Sequence, residues 1–128
     1  LKESAVSTGI IFQHQQKDII DFNTQRTIPH KFSQFGPAIA VGDINGDGLE
    51  DLFIGGSTGF EAQFFIQDKT GKFQAGQKVK SSDEFTENSS VILFDFDRDG
   101  DLDLCIGNGG FEKQEGPSYQ TKVYVNDK

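Results

Sequence analysis

The sequence predicts an all-β protein built from antiparallel strands, and three observations carry this prediction. Short apolar runs alternate with clusters of Gly, Asn, Asp and Ser, which is the pattern of strands joined by turns. No stretch of a dozen residues has a convincing helical period. A unit recurs at an offset of 52 residues, which indicates that one group of strands forms twice. The apolar runs that predict strands are residues 38–41, 51–54, 63–66, 91–94, 103–106 and 122–125.

The repeat aligns IAVGDINGDGLEDLFIGG (39–56) with VILFDFDRDGDLDLCIGN (91–108). A second match aligns QFFIQDK (63–69) with KVYVNDK (122–128), seven residues out of phase with the first. We expect the segment GNGGFEKQEGPSYQ (107–120) to absorb this insertion. The identical pairs in the first match are Asp43/Asp95, Asp47/Asp99, Gly48/Gly100, Asp51/Asp103, Leu52/Leu104, Ile54/Ile106 and Gly55/Gly107.

The N-terminal part of the chain is less regular. TGIIFQHQ (8–15) predicts one strand, and the following segment (18–37) predicts an irregular connection because its two prolines interrupt regular structure. KTGKFQ (69–74) predicts a turn that returns Phe73 to the core. The expected organisation is a lead-in segment (1–36), a first repeat unit (37–80) and a second, truncated unit (81–128). Such units need neighbours to cover their faces, so we expect a fragment of a longer array.

Composition narrows the classes of function. At 128 residues the chain can form one domain with a modest core. Its net charge of −8 argues against nucleic acid or an anionic membrane as a partner, because phosphate groups require clustered Lys and Arg. No apolar run is long enough to insert into a membrane. The single cysteine, Cys105, cannot form an intrachain disulfide, and its apolar neighbours predict a small buried side chain.

Acidic residues are concentrated in two short loops that share one spacing. Side-chain oxygens at loop positions 1, 3 and 5 can converge on one point, and glycine at position 6 (Gly48 or Gly100) permits the sharp turn. A backbone carbonyl at position 7 and a carboxylate at position 9 would add two more oxygens. Hard oxygen ligands of this kind suit Ca²⁺ better than zinc or copper. We therefore predict two Ca²⁺ sites, formed by Asp43, Asn45, Asp47, the carbonyl of Leu49 and Asp51, and by Asp95, Asp97, Asp99, the carbonyl of Asp101 and Asp103.

Other loop types fit the same residues less well. An EF-hand has glutamate at position 12 and helical flanks, whereas this chain has Ile54 and Ile106 there, with strand-like flanks. Dockerin and thrombospondin-type loops also tend to place an acid at position 12. The remaining alternative is a pair of Asn/Asp/Gly turns that need no metal. In two loops with so many carboxylates, the negative charges would repel one another if no cation were bound. This repulsion favours a metal-binding role over metal-free turns.

The segments DINGDGLEDLFIGG and DFDRDGDLDLCIGN resemble the calcium loops of FG-GAP/VCBS repeats, the blades of integrin-alpha-type β-propellers. The lead-in TGIIFQHQQKDIIDF and the later FGPAIAVGD are similar to bacterial VCBS-repeat proteins related to cartilage acidic protein. The resemblance implies a loop that joins the first two strands of a four-stranded blade, in a propeller of about seven blades, of which this chain would hold two. Asn45 departs from the family's usual aspartate, which would weaken the first site.

Motifs that suggest an enzyme lack their supporting residues. GGSTG (55–59) matches the G-x-S-x-G motif, but strand-like sequence follows Ser57 where a helix is required. Both histidines, His14 and His30, precede Ser57, whereas that motif requires Asp and then His downstream. We expect no catalytic residue, and surface or hydrogen-bonding roles for the histidines. Asn88 begins a glycosylation sequon, a pattern that is frequent by chance.

These observations predict a calcium-binding adhesion or interaction module in which calcium is structural. The expected ligand is a protein or a glycan, with the loops at 57–62 and 109–120 as candidate recognition surfaces. The expected location is extracellular, at the cell surface or in the periplasm. Further blades of the parent chain or self-association would cover exposed edges. Two alternatives remain: the non-catalytic repeat region of a larger secreted hydrolase or lyase, and a small domain that assembles from several chains.

Overall fold

Two antiparallel β-sheets contain most of the regular structure. The computed structural model describes residues 1–23, 25–31, 33, 36–80, 85–110 and 116–127. The first sheet has the strand order β1-β2-β3-β4 and the second has the order β5-β6-β7. The all-β prediction is confirmed. The strands are β1 (Ile39–Gly42), β2 (Asp51–Ile54), β3 (Ala62–Gln67), β4 (Phe73–Val79), β5 (Glu87–Phe94), β6 (Asp103–Gly109) and β7 (Lys122–Tyr124).

The helical residues are few. One helical turn, α1, spans Ala5–Thr8, and two 3₁₀ turns span Asp21–Asn23 and Pro117–Tyr119. The second 3₁₀ turn lies in the segment 107–120, which was predicted to absorb the insertion between the two repeat units. Residues 111–115 of that segment lie outside the described residues.

Both sheets are built on the same hairpin. β1 pairs with β2 so that Gly42 lies opposite Asp51, and β5 pairs with β6 so that Phe94 lies opposite Asp103. An eight-residue acidic loop (43–50 or 95–102) therefore closes each hairpin at the same register. The third strands also correspond, because Leu52 lies opposite Phe65 in the first sheet and Leu104 opposite Tyr124 in the second. Phe65 follows Leu52 by 13 positions, and Tyr124 follows Leu104 by 20. The two residues are therefore equivalent, and the difference of seven positions is the offset that the sequence predicts.

The apolar core lies between the two sheets. Phe53 and Ala62 of the first sheet and Leu104 and Ile106 of the second are buried in one cluster. Each large apolar side chain that leaves water contributes about 1.5–3 kcal/mol, so this contact helps to hold the sheets together. Gly42 allows the close approach, because a Cβ at this position would lie 2.7 Å from a methyl carbon of Leu102 in the second unit.

The strand predicted at TGIIFQHQ (8–15) is wrong. Thr8 ends the short helix, and the described residues 9–20 form no strand. The segment instead crosses the face of the first sheet that points away from the second. The ring of Phe12 packs edge-on against Phe65 with the ring centroids 6.3 Å apart, and the hydroxyl of Ser57 donates to the carbonyl of Gln15. Phe12 therefore covers part of this sheet while Ile11 stays exposed, and the backbone carbonyl of Gln15 accepts from a side chain where a strand would pair with a neighbouring strand.

The turn predicted at 69–74 is confirmed, but Phe73 is only half-buried and lies outside the core cluster, and the strand that begins there was not predicted. The N–H of Asp68 donates to the carbonyl of Lys72 at 2.7 Å, and Gly71 closes the turn with φ 76°. β4 then runs along the edge of the first sheet. An edge strand buries only part of its side chains, and the sequence FQAGQKV contains too few apolar residues to predict one.

The face of the second sheet that points away from the first is partly apolar and open. Cys105 lies on it between Ile92 and Val123 of the adjoining strands. Ile92 is 56% exposed and Val123 is 40% exposed. Cys105 is half-buried, so the prediction of a buried side chain is only partly met: its face has no second sheet against it among the described residues.

Candidate functional site

The two acidic loops share one backbone conformation. In the first loop Gly46 and Gly48 have φ of 73° and 85°, and in the second Arg98 and Gly100 have φ of 70° and 99°. Loop positions 4 and 6 are therefore left-handed in both copies. The sequence predicts this conformation at position 6, and Gly46 permits it at position 4 of the first loop, whereas Arg98 gives no sign of it in the second. Among the described residues, Arg98 is the only non-glycine residue with positive φ, which stores backbone strain in the second loop.

The aspartate at position 1 holds each loop closed. In the first loop, Asp43 Oδ1 accepts a hydrogen bond from the N–H of Gly46 at 2.7 Å, and Oδ2 accepts one from Gly48 at 2.8 Å. In the second loop, Asp95 accepts the equivalent two bonds from positions 4 and 6 at 2.6 and 3.2 Å. These bonds explain why the left-handed residues occur where they do, since they turn both N–H groups toward one carboxylate.

Positions 3 and 5 continue the same pattern. The side-chain oxygen of Asn45 accepts from the N–H of Asp47 at 2.9 Å, and Asp47 Oδ1 accepts from the N–H of Leu49 at 2.9 Å. Asp97 and Asp99 accept the equivalent bonds at 3.2 and 3.1 Å, the second from the N–H at position 7, Asp101. Each side chain thus bends back over its own loop, and position 7 takes part through its N–H.

The second loop brings three carboxylates together. One oxygen from each of Asp95, Asp97 and Asp99 lies within 4.8 Å of the other two, and all three residues are exposed to solvent. In the described part of the chain, no other group of three His, Cys, Asp or Glu residues has this geometry. Loss of solvation raises the pKa of Asp97 above its ordinary value, and the negative charge of Asp99 raises it further.

The first loop offers a weaker set of ligands. It has carboxylates at positions 1 and 5, but Asn45 supplies an uncharged amide oxygen at position 3. The hydrogen-bond frame is nevertheless retained, so the difference between the loops is mainly one of charge. This is the departure from the family pattern that the sequence predicts to weaken the first site.

The aspartate at position 9 is buried and accepts backbone hydrogen bonds in both units. Asp51 is fully buried; its Oδ2 accepts from the N–H of Ile44 at 3.2 Å and its Oδ1 from the N–H of Gln67 at 2.8 Å. The residue therefore ties the start of the loop to the end of β3. Both oxygens lie at the base of the loop, beneath the side chains of positions 1, 3 and 5.

Asp103 repeats this arrangement in the second unit. It is fully buried and accepts from the N–H of Asn126 at 2.9 Å and from the N–H of Phe96 at 2.6 Å. These two bonds, the one from Asn126 first, lower the pKa of Asp103. Asp103 does not join the three clustered carboxylates. Sequence reasoning missed this anchoring role, although the equivalence of Gln67 with Asn126 in the second repeat match carried the signal.

The donor set of the second loop fits Ca²⁺. All three clustered groups are hard oxygens, they face solvent from one side, and backbone N–H groups fix their positions. Calcium accepts six to eight such ligands in flexible geometry, whereas zinc and copper favour nitrogen and sulfur. The residues that would hold the ion are Asp95, Asp97 and Asp99, with their counterparts Asp43, Asn45 and Asp47 in the first loop.

The motifs that suggested other chemistry have structural partners. Ser57 is buried, and its hydroxyl donates to the backbone of Gln15. Ser57 and His14 both line a cleft of about 250 Å³. His30 is exposed. Asn88 of the sequon is 6% exposed; its side-chain oxygen accepts from Gly56 at 2.7 Å, so it joins the two sheets.

The two candidate recognition loops differ in exposure. In the loop at 57–62, Ser57 and Thr58 are buried, while Gly59 and Glu61 are exposed. The loop at 109–120 lies partly outside the described residues. In the parts of the chain that the structure describes, no helix has the length and apolar character needed to cross a membrane.

Comparison with known proteins identifies the repeat. A family model described as an FG-GAP-like repeat matches residues 43–106, which is 64 of the 128 residues and includes both acidic loops. Integrin alpha-8 of Gallus gallus is 29% identical over 89 residues, a match that covers 59% of this chain and 8% of that relative. The chain thus spans a small part of the length of this relative. No solved structure matches. The two antiparallel sheets, the repeated hairpin and the family match agree, and the chain belongs to the FG-GAP repeat family.

Proposed function

We propose that this chain is a calcium-stabilised interaction module of an exported protein and that it has no catalytic role. The FG-GAP-like match and the likeness to an integrin alpha subunit support an interaction-type repeat. The observation that carries the calcium assignment is the second loop, in which three aspartate oxygens lie within 4.8 Å of one another on a hydrogen-bond frame that the first loop repeats.

The loop residues prepare this site in two ways. Backbone N–H groups hold both oxygens of Asp95 and one oxygen each of Asp97 and Asp99, so the ligands need little reordering when a cation arrives. Loss of solvation, followed by the negative charge of Asp99, raises the pKa of Asp97, and like charges this close repel one another when no cation is present. A bound Ca²⁺ would supply the positive charge that offsets this repulsion. Its binding free energy then adds to the stability of the fold.

The proposed location is extracellular, at the cell surface or in the periplasm. The clustered aspartates are exposed to solvent, so an ion from the surroundings can reach them. Extracellular calcium modules have dissociation constants of about 10⁻⁴–10⁻³ M, which suits compartments rich in the ion. The ligand of the module is proposed to be a protein or a glycan.

The open face of the second sheet is proposed to be covered by another unit of the same repeat. It presents Ile92, Cys105 and Val123, whereas the equivalent face of the first sheet, which includes Phe53, is buried against the second. Further units of the parent polypeptide or a second copy could supply the cover. Native mass measurement separates them: a second copy predicts a concentration-dependent dimer that Ile92→Lys abolishes, and a monomer at every concentration contradicts self-association.

Thermal unfolding tests the calcium assignment. We expect the melting temperature to rise with added Ca²⁺ relative to EDTA and to rise much less with Mg²⁺, because magnesium requires a tighter octahedral set of ligands. Identical melting curves in all three conditions would show that the loops are turns that need no metal.

A further inference from the structure

The side chain of Asn126 lies between the two acidic loops. Its Nδ2 donates to the carbonyl of Ile44 in the first loop at 3.0 Å and to the carbonyl of Leu102 in the second at 3.4 Å. Its backbone N–H donates to Asp103 at 2.9 Å. The amide nitrogen has two hydrogens, so it can serve both carbonyls at once. A single residue, two positions after the end of β7, therefore contacts both candidate calcium loops.

Ile44 is the point of the first loop that this contact fixes. Ile44 stands between loop positions 1 and 3, and its N–H already donates to the buried Asp51 of its own sheet. With its carbonyl bonded to Asn126, the peptide units on both sides of Ile44 are fixed, one by each repeat unit. Since these peptide units set the directions of Asp43 and Asn45, the second unit helps to position ligands of the first loop.

The first repeat unit provides an internal comparison. Gln67 is equivalent to Asn126, and its N–H donates to Asp51 as that of Asn126 donates to Asp103. Within the described residues, the side chain of Gln67 forms no hydrogen bond to a loop of the other sheet. The backbone bond thus belongs to the repeat, while the side-chain bridge is an additional feature of the junction between the units.

We propose that Asn126 is a positioning residue that couples the two acidic loops, so that calcium in the second loop raises the calcium affinity of the first. This inference rests on the proposed function, because it requires that the loops bind calcium. An ion in the second loop orders the backbone around Leu102 and Asp103, which hold Asn126. Asn126 in turn restrains Ile44, so the first loop loses less conformational freedom when its own ion binds. Coupling of this kind is reciprocal.

A titration of the whole chain with CaCl₂ in a calorimeter measures the coupling. Asp99→Asn disables the second loop, so the affinity of the first loop is compared with and without a working second loop. We expect the first loop to bind calcium about five-fold more weakly when the second is disabled, at the lower end of the range for coupled sites. In a protein that also carries Asn126→Ala, disabling the second loop should leave the calcium affinity of the first loop unchanged, so the ratio of the two affinities becomes one. Gln67→Ala is the matched control and should retain the ratio of the wild-type protein.

The outcomes separate two failures. If wild-type protein binds calcium at both loops and the ratio persists in Asn126→Ala, Asn126 only strengthens the fold and the coupling is refuted. If wild-type protein binds no calcium, the proposed function fails and the inference fails with it. Circular dichroism in EDTA checks that each variant folds. Should the alanine variant unfold, Asn126→Gln introduces the residue found at the equivalent position of the first unit. It retains the amide group but displaces it by one methylene, and it is expected to reduce the ratio.

Discussion

Replacing the buried Asp51 with alanine should remove a large part of the stability even in the absence of metal. Its carboxylate is fully buried and accepts hydrogen bonds from the N–H groups of Gln67 and Ile44 at 2.8 and 3.2 Å. Hydrogen bonds to charged groups contribute about 1.5–3 kcal/mol each, so the pair amounts to about 3–6 kcal/mol. The cost of burying the charge places the expected loss in the lower half of that range.

Urea unfolding in EDTA, followed by circular dichroism, measures this loss without any contribution from calcium. Domains of this size are stable by about 5–15 kcal/mol, so a loss of 3–4 kcal/mol shifts the midpoint strongly or unfolds the chain. Glu50→Ala is the matched control, because Glu50 is the neighbouring acid and is exposed. Its effect should stay within about 0.5 kcal/mol. An Asp51→Ala variant as stable as the control would refute the anchoring role.

Two further predictions concern turns. The hydrogen bond from the Thr70 hydroxyl, and after it those from backbone N–H groups, lower the pKa of Asp68. Its contribution to stability is therefore complete above its unfolded pKa of about 3.9 and is lost as the pH falls from there through its lower folded pKa. Asp68→Asn should therefore flatten the acid limb of the unfolding free energy measured in EDTA, and an unchanged limb would contradict this. Arg98→Gly should stabilise the second loop by about 1 kcal/mol by relieving its positive φ. Gly46→Ala, at the same position of the first loop, should lower the free energy of unfolding by a similar amount. Equal urea midpoints for the two variants would show that the positive φ of Arg98 stores no strain.

The hairpins around the acidic loops were predictable because their signals are local. β2 (Asp51–Ile54) lies where its apolar run predicts, since a glycine-rich turn precedes it and the repeat confirms its spacing. β4 was not predictable in this way, because an edge strand such as Phe73–Val79 is defined by pairing with β3 and buries few side chains. The lead-in failed for a related reason. The apolar residues of TGIIFQHQ predict contact with something, but only the folded chain shows that Phe12 meets Phe65.

In the candidate site, too, the local features were predictable from the sequence and the long-range contacts were not. The residues at loop positions 1, 3 and 5 are close in sequence, so their convergence follows from spacing alone. The partners of Asp51 and Asp103 lie 16 and 23 residues further along the chain, and such contacts depend on how the third strand of each unit is placed. Calcium binding by either loop remains a prediction from both the spacing and the geometry.

The melting temperature of a variant with both loops disabled is the most direct test of the calcium assignment. Asp47→Asn combined with Asp99→Asn removes one charge from each loop and keeps an oxygen to accept the backbone hydrogen bonds at position 5. At about 10 mM Ca²⁺, sites with dissociation constants of about 10⁻⁴–10⁻³ M stabilise the fold by about 1.4–2.7 kcal/mol each. Wild-type protein should therefore melt several degrees higher in Ca²⁺ than in EDTA, and the double variant should lose most of that rise. An equal rise in both proteins, or no rise in either, would contradict calcium binding by these loops.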